Sequence, residues 1–204
     1  MSTLFIICGP SGTGKTSLVS ALIPQLKNIE PSVSHTTRPH RSGETDDVNY
    51  HFVTLEIFQK MIKENDFLEH AEVFDNHYGT SKSFVLEKLS KNVDIILEID
   101  WQGAQQIKKL FKNTVSIFIL PPSLTSLSHR LHQRKQDHEK VIKKRLSEAQ
   151  NEIQHYDEFD YLLVNDSFDQ AVSDLRAIIT AHRLSLPLQK EKQINLIRNL
   201  LANP

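Results

Sequence analysis

A glycine-rich segment near the start of the chain has the residue types that bind phosphate. It reads GPSGTGKT over residues 9–16 and fits the pattern G-x-x-x-x-G-K-[ST] in full. In this pattern backbone N–H groups turn towards phosphate oxygens, a lysine reaches the β- and γ-phosphates, and a hydroxyl binds Mg²⁺. The residues predicted to bind the triphosphate are Gly9, Pro10, Ser11, Gly12, Thr13, Gly14, Lys15, Thr16 and Ser17.

The neighbouring segments supply the context that this motif requires. Residues 4–8 are an apolar run typical of a buried strand, and the pattern over residues 15–26 predicts a helix. A helix beginning at Lys15 would direct the positive end of its dipole at the same anion. The motif therefore predicts a nucleoside triphosphate site with Lys15 as a catalytic residue and Thr16 as a metal ligand. It leaves open whether the γ-phosphoryl group goes to water, to a protein switch or to an acceptor.

Strands and helices alternate along most of the chain. We expect strands at residues 4–8, 50–53, 95–99, 115–120 and 161–164. Apolar periodicity predicts helices at residues 15–26, 55–63, 81–89, 102–110, 124–134, 139–155, 168–184 and 189–201. This alternation predicts an α/β fold with a parallel sheet.

Composition limits the class of protein. The 204 residues suit a single domain, and a net charge of −1 creates no overall field that would attract a nucleic-acid polymer or a membrane surface. The single cysteine, Cys8, excludes a disulfide framework and argues against a thiolate metal site. No apolar run approaches the ~18 residues of a membrane span, and no secretory signal is visible. We therefore expect a cytoplasmic protein.

The segment from residue 32 to about residue 78 breaks the alternation of strands and helices. It is polar and rich in turn residues, and Arg38 and Arg41 lie three positions apart near Tyr50. Each guanidinium can bind an oxyanion through two hydrogen bonds, so the pair suits a phosphate clamp. A solvated basic loop is the alternative interpretation of these residues alone.

Several blocks taken together resemble the guanylate kinase family over nearly the whole chain. They are GPSGTGKTS, SVSHTTRPHRSGE, FLEHAEVFDNHYGTS, ILEIDWQGAQQI, RLHQRKQDHEKVIKKRLSEAQNEI and FDYLLVND. The resemblance implies transfer of the γ-phosphoryl group of ATP to GMP with Mg²⁺. It also implies a P-loop core with a parallel sheet (residues 1–31, 82–123 and 156–204), an inserted mixed α/β GMP-binding subdomain (32–81) and a helical lid (124–155).

The resemblance assigns the GMP site residue by residue. The residues are Ser34, Arg38, Arg41, Tyr50, Glu69, Tyr78, Thr80 and Asp100. Glu69 and Thr80 would read the guanine edge, and the chemistry agrees with this role. Guanine presents N1–H and an exocyclic amino group as adjacent donors, which an ionised carboxylate accepts together, whereas adenine offers no such pair.

The resemblance also assigns the lid and the donor base. Arg134 and Arg145 would be lid arginines that stabilise the transferring group, with Arg130 as a third. The catalytic set is then Lys15, Arg38, Asp100, Arg134 and Arg145, and Asn165 would contact adenine. For Lys143 and Lys144 we expect a solvated helix face.

Three residues depart from the usual family pattern. Asp47 and Lys135 stand where glycine is frequent, and Glu98 stands where aspartate is commoner, which puts loop dynamics and the position of metal-bound water in doubt.

Three other functions stay open. They are a peptide-binding module, a GTPase that uses the D-x-x-G of residues 100–103, and a kinase for another phosphorylated acceptor. The apolar face of the tail helix leaves a monomer and a homodimer equally possible.

Overall fold

The computed structural model describes residues 2–133 and 139–202. The strands in these residues are β1 (Leu4–Cys8), β2 (Ile29–Pro31), β3 (His35–Thr36), β4 (His51–Phe52), β5 (Phe67–Val73), β6 (Asn76–Ser81), β7 (Asp94–Glu98), β8 (Thr114–Leu120) and β9 (Tyr161–Val164). The α-helices are α1 (Lys15–Leu22), α2 (Leu55–Lys63), α3 (Lys82–Ser90), α4 (Trp101–Leu110), α5 (Leu124–Gln133), α6 (Glu139–Ile153), α7 (Phe168–Arg183), α8 (Leu186–Lys192) and α9 (Ile194–Ala202). Across the two described ranges, none of the helices is long and apolar enough to cross a membrane.

β1 lies at the centre of a five-stranded sheet of order β2-β7-β1-β8-β9, in which all paired strands are parallel. Because successive side chains point to opposite faces, β1 contributes to two cores. Phe5 and Ile7 pack with residues of α1 and α7 on one face. Leu4 and Ile6 pack with residues of α3 and α4 on the other. All of β1 is buried, which accounts for its continuous apolar sequence and confirms the predicted α/β fold.

The chain between β2 and α3 forms a second sheet of order β4-β3-β6-β5. β5 and β6 are an antiparallel hairpin whose turn has positive φ at Phe74 (53°) and Asp75 (60°). Phe58 of α2 is fully buried, and its ring centroid lies 4.5 Å from that of Phe67 and 5.4 Å from that of His77. This part of the chain therefore has its own sheet and its own aromatic packing. It falls within the predicted insertion.

α5 and α6 pack against each other around a small apolar cluster. Its buried members are Leu127, Leu131, Ile142 and Ala149, with Leu146 packed against them. These residues take no part in the two cores on the central sheet. The segment predicted to be a lid thus has apolar contacts of its own.

Two predicted helices differ from the structure. α1 ends at Leu22, and a 3₁₀ turn follows over Ile23–Gln25, because Pro24 has no N–H to continue the helix. The predicted tail helix at residues 189–201 is two helices, α8 and α9, which meet at Gln193. Leu196, Leu200 and Leu201 of α9 are exposed.

Candidate active site

The glycine-rich segment forms a tight loop between the carboxyl end of β1 and the start of α1. The carbonyl oxygen of Pro10 accepts hydrogen bonds from the backbone N–H of Thr13 at 3.2 Å and from its hydroxyl at 2.9 Å. Gly9 has φ of +138°, and a Cβ at this position would lie 2.2 Å from the carbonyl oxygen of Ile119 in β8. Only glycine allows this close approach of the loop to the sheet.

The first turn of α1 is open towards the loop. Its N-cap residue is Gly14 in the left-handed conformation (φ 95°), and none of the described side chains caps it. By contrast, side chains cap α2, α3 and α4, from Thr54, Ser81 and Asp100 respectively. Uncapped N–H groups at the positive end of a helix dipole favour an anion. The geometry thus fits the predicted triphosphate site.

The lysine and the threonine of the loop have partners in the structure. The ammonium group of Lys15 donates to the carbonyl oxygens of Gly9 and, at 3.2 Å, Pro10. The hydroxyl of Thr16 donates to Oε2 of Glu98 at 2.8 Å. Glu98 ends β7, the strand next to β1, and burial raises the pKa of its carboxyl group. The departure from aspartate at position 98 therefore gives a side chain that reaches Thr16.

Two further carboxyl groups lie near the loop. Asp100 caps α4, with Oδ1 accepting from the backbone N–H of Gly103 at 2.9 Å and Oδ2 from Gln102 at 3.0 Å. Burial raises the pKa of Asp100. Burial also raises the pKa of Glu152 in α6 to about 7, although the charge of Lys15 lowers that pKa while Asp100 adds to the increase. The mouth of the loop is therefore acidic apart from Lys15.

Arginine and tyrosine side chains of the predicted clamp come together on the second sheet. Arg38 is only 8% exposed; its guanidinium lies 5.3 Å from the ring centroid of Tyr50 and donates to Glu44 at 2.6 Å. Glu44 also accepts from the backbone N–H of Arg41 at 2.9 Å. The rings of Tyr50 and Tyr78 are in edge contact at 5.9 Å. Burial lowers the pKa of Arg38, but the hydrogen bond that Arg38 donates to Glu44 and its electrostatic interactions with Tyr78, Glu44 and Tyr50 together outweigh this effect, so the pKa is raised.

Ser34 precedes β3, and Thr80 lies in β6, the strand that pairs with β3. Thr80 donates to Oε1 of Glu69 across the hairpin at 2.5 Å. Glu69 is 4% exposed, and burial raises its pKa to about 7, with Thr80 lowering the pKa and Asp100 raising it. The structure thus brings Glu69 and Thr80, the two predicted base-reading residues, together with Asp100 beside them.

Tyr50 of the predicted clamp interacts electrostatically with Glu98, the residue that contacts the glycine loop. Burial raises the pKa of Tyr50 to about 12, and the charge of Glu98, which contacts the glycine loop, contributes to this increase. A cavity of about 420 Å³ lies between the second sheet and α6, lined by residues that include Glu72, Asp75, Asp100, Trp101, Lys144 and Glu152. Asp100 is the predicted site residue that lines this cavity, and Glu98 is the group that links Tyr50 of the clamp to the glycine loop.

Two residues of the predicted lid contact the β5–β6 turn beside this cavity. Arg145 is 6% exposed, and its guanidinium lies 5.6 Å from the ring centroid of Phe74 in the β5–β6 turn. Lys143 and Lys144 are both exposed, as expected for a solvated helix face, and Lys144 also forms a surface ion pair with Asp75 at 2.7 Å. Arg134 and Lys135 lie outside the described residues.

Arg130 and Asn165 meet at the far side of the glycine loop. Arg130 donates to the carbonyl oxygen of Asn165 at 2.8 Å, and the amide of Asn165 donates to the carbonyl oxygen of Thr13 at 2.7 Å. A second cavity of about 380 Å³ here is lined by residues that include Gly14, Ser17, Arg130, Asn165 and Phe168. Asn165 thus lines a cavity beside the glycine loop, and its contact with adenine stays a prediction.

Comparison with known proteins identifies the family. A sequence model of the family described as "Guanylate kinase" matches residues 1–182.

The chain belongs to the guanylate kinase family.

Close relatives and a solved structure agree with this assignment. The guanylate kinase of Saccharophagus degradans is 55% identical over 200 residues, which cover 98% of each chain. That of Hydrogenovibrio crunogenus is 54% identical over 198 residues, or 97% of each chain. The crystal structure of guanylate kinase from Anaplasma phagocytophilum matches with a TM-score of 0.74 and 32% identity, over 91% of this chain and 88% of that one. The α/β fold with a P-loop core is therefore the fold of the guanylate kinase family.

Sequence reasoning missed three contributors to this guanylate kinase site. Glu44 fixes both predicted clamp arginines, Glu152 adds a carboxyl group beside Asp100, and Gly103 lies against Glu69. Glu44 had a local signal, because it lies three residues after Arg41 in a loop. Glu152 had none, since it lies 52 residues beyond Asp100 and only the folded chain brings the two together.

Proposed function

We propose that the protein transfers the γ-phosphoryl group of ATP to GMP and forms ADP and GDP. The observation that carries the proposal is the hydrogen-bonded pair of Glu69 and Thr80, buried beside Asp100. Such a pair suits a guanine acceptor, and the loop suits a triphosphate donor. Membership of the guanylate kinase family supports the same reaction.

In this proposal the glycine loop and the arginine clamp, which are the two phosphate-binding sites, hold the reacting groups in line. Lys15 leaves the carbonyl oxygens of its own loop and binds the β- and γ-phosphates of ATP. Arg38 and Arg41, with Ser34, Tyr50 and Tyr78, bind the phosphate of GMP. Because the transition state spreads charge over the transferring oxygens, arginines that approach them lower the barrier.

The lid supplies these arginines. Arg145 exchanges its contact with Phe74 for the transferring oxygens when the lid closes, and Arg134 and Arg130 complete the set. Asn165 lies beside the adenine of ATP. Closure also excludes water, which would otherwise receive the phosphoryl group.

Recognition of the base rests on the charge of Glu69. As a carboxylate it accepts from N1–H and the exocyclic amino group of guanine, and Thr80 fixes the carboxylate by donating to its Oε1. Asp100 lies next to this pair. A pyrimidine or an adenine leaves the buried carboxylate without these donors and is rejected.

Mg²⁺ fits the oxygen atoms at the mouth of the loop. When bound, it would neutralise charge on the triphosphate and hold its oxygens in position. The Thr16 hydroxyl and the Glu98 carboxylate are hard oxygen donors 2.8 Å apart, and Mg²⁺ needs few protein ligands because it keeps water and phosphate oxygens. The described residues contain no group of three His, Cys, Asp or Glu side chains placed to hold a metal ion, which also favours binding with the nucleotide.

The proposal includes an arrangement of parts and a location. Residues 1–31, 82–123 and 156–204 form the ATP-binding core, residues 32–81 bind GMP and residues 124–155 are the lid. The separate sheets and the separate apolar cluster of α5 and α6 support this division. We place the reaction in the cytoplasm.

The rate of ADP formation from MgATP tests the proposal. Parallel reactions contain GMP, AMP, CMP, UMP or no acceptor, and Lys15→Met serves as the inactive control. We expect turnover with GMP alone. ADP release that does not depend on the acceptor would indicate an NTPase, and a folded protein silent with every acceptor would indicate a binding module or another phosphorylated acceptor.

A further inference from the structure

Gly103 is a glycine inside a helix whose backbone does not require glycine. It is the third residue of α4, it is buried, and its φ lies outside the left-handed region. Glycine in a helix interior destabilises it relative to alanine because the unfolded chain has more freedom to lose. A reason for glycine here must therefore lie in what surrounds the missing side chain.

The space beside Gly103 is occupied by the carboxyl group of Glu69. A Cβ at position 103 would lie 2.4 Å from Oε2 and 3.1 Å from Cδ of Glu69, and 3.4 Å from Oδ1 of Asp100. The other oxygen of Glu69 accepts from Thr80 at 2.5 Å. The carboxyl group is thus enclosed between the Thr80 hydroxyl and the bare backbone of Gly103.

We propose that Gly103 is a positioning residue that sets base specificity by leaving room for the Glu69 carboxylate. This inference rests on the proposed function, in which Glu69 reads guanine. Gly103 itself touches no substrate atom in this scheme. It acts through Glu69, whose plane must face both donors of the guanine edge at once.

A methyl group at this position should weaken recognition of the guanine base and leave folding intact. The atom it would meet is the far end of a side chain, not backbone or a ring, so Glu69 can turn away and the helix can remain. Turning away breaks the bond to Thr80 and misdirects the two oxygens. At Gly79, by contrast, a Cβ would lie 2.8 Å from the ring of Phe67, so substitution there disturbs packing.

Steady-state kinetics of Gly103→Ala with GMP and with IMP test the inference. IMP keeps the N1–H donor but lacks the exocyclic amino group, so the ratio of the two kcat/KM values reports the geometry of Glu69. For Gly103→Ala we expect KM for GMP to rise about 10- to 100-fold, the loss expected when hydrogen bonds to a charged group are broken. The GMP/IMP ratio should fall, KM for ATP should change less than about twofold, and Tm should stay or rise because alanine favours the helix.

Two further variants separate a specific contact from a general effect. Ala104→Gly weakens α4 at the next position without touching Glu69, and we expect it to leave the GMP/IMP ratio unchanged. Glu69→Asp withdraws the carboxylate by one methylene, so Gly103→Ala should cause less than about a threefold further loss in that background.

The contrary results are distinct. Unchanged GMP kinetics in folded Gly103→Ala, an equal loss in Ala104→Gly, or additive losses in the double variant would each overturn the inference and leave the proposed function intact. A wild-type protein that does not phosphorylate GMP would overturn both.

Discussion

The imidazole of His155 stacks on the indole of Trp101, with ring centroids 3.7 Å apart and 8° between the ring planes. Trp101 follows Asp100 at the start of α4, and His155 follows the end of α6. Glu158 reinforces the contact, because it bonds to His155 at 2.6 Å and accepts from Gln105 of α4 at 2.8 Å. The exit of the proposed lid is therefore tied to the helix that carries Asp100.

The first prediction uses Trp101 as a reporter, since it is the only tryptophan in the chain. We expect MgATP with GMP to change its fluorescence emission as the lid closes. His155→Ala should remove most of this change and raise KM for both nucleotides about 2- to 10-fold, the range of an aromatic contact. His155→Phe keeps a stacking ring and should restore both properties. An alanine variant with the wild-type signal would rule out the stack as part of closure.

The second prediction concerns pH and the carboxyl group of Glu69. Its pKa is raised by burial to about 7, and guanine binding needs the ionised form. KM for GMP should therefore rise about tenfold per unit as pH falls below 7 and level off above pH 8. Glu152 titrates in the same range, so Glu152→Gln is the control and should keep this dependence. Loss of the dependence in Glu152→Gln would transfer the effect to Glu152.

The raised pKa of Glu69 also affects stability, and here a rise in pH is unfavourable, whereas it favours GMP binding. The folded state binds the Glu69 proton more tightly than the unfolded state, for which the ordinary pKa is 4.5. The contribution of this group to stability is fully present below pH 4.5 and is lost as pH rises through about 7. Glu69→Gln should therefore raise Tm at pH 8 more than at pH 5 while GMP activity falls. Equal shifts at both pH values would contradict the raised pKa.

The third prediction tests the contact between Thr16 and Glu98. Thr16→Val keeps the shape of the side chain but removes the hydroxyl, whereas Thr16→Ser keeps the hydroxyl. At fixed ATP we expect Thr16→Val to need about 10- to 100-fold more Mg²⁺ for half-maximal rate, with Thr16→Ser close to wild type. Glu98→Gln should shift the requirement in the same direction. An identical Mg²⁺ dependence in all four proteins would exclude these oxygens from the metal site.

The fourth prediction concerns Glu44, which holds Arg38 in place. Removing the carboxylate leaves a nearly buried guanidinium without its ion-pair partner, so Arg38 should move. We expect Glu44→Ala to raise KM for GMP about tenfold and to leave KM for ATP within about twofold. Glu56→Ala on exposed α2 is the matched control and should match wild type. An effect on ATP as large as that on GMP would show that Glu44 supports the whole cleft.

Local patterns in the chain predicted four of the five strands of the central sheet, and missed only β2 (Ile29–Pro31), which is three residues long. The predicted bounds of residues 55–63 are those of α2, because Thr54 caps the helix and its apolar residues recur at helical spacing. The glycine loop was equally accessible, since all its residues are consecutive. The parallel sheet followed from apolar runs separated by helices, and the comparison with relatives confirms both the fold and the family.

The second sheet could not be predicted in the same way. β5 reads FLEHAEV, and its buried face includes Glu69, so the requirement of the site overrides the apolar alternation that identifies a strand. The role of Gly103 could not be predicted either, because nothing in the local sequence WQGA indicates that the carboxyl group of Glu69 fills the space beside it. Residues whose importance lies in distant contacts become visible only when the chain is folded.

The apolar cluster within α5 and α6 has a thermodynamic consequence. α5 also contacts the glycine loop, since a Cβ at Gly12 would lie 2.9 Å from Leu131 and 3.0 Å from Leu127, so the pair can change position without exposing much hydrocarbon surface only while this contact is kept. Its displacement should then contribute little to the heat capacity of nucleotide binding, which tracks the apolar area transferred from water. The Lys144–Asp75 ion pair between α6 and the β5–β6 turn is exposed and screened by salt, so ionic strength should affect the position of the pair alongside the Arg145–Phe74 and His155–Trp101 contacts.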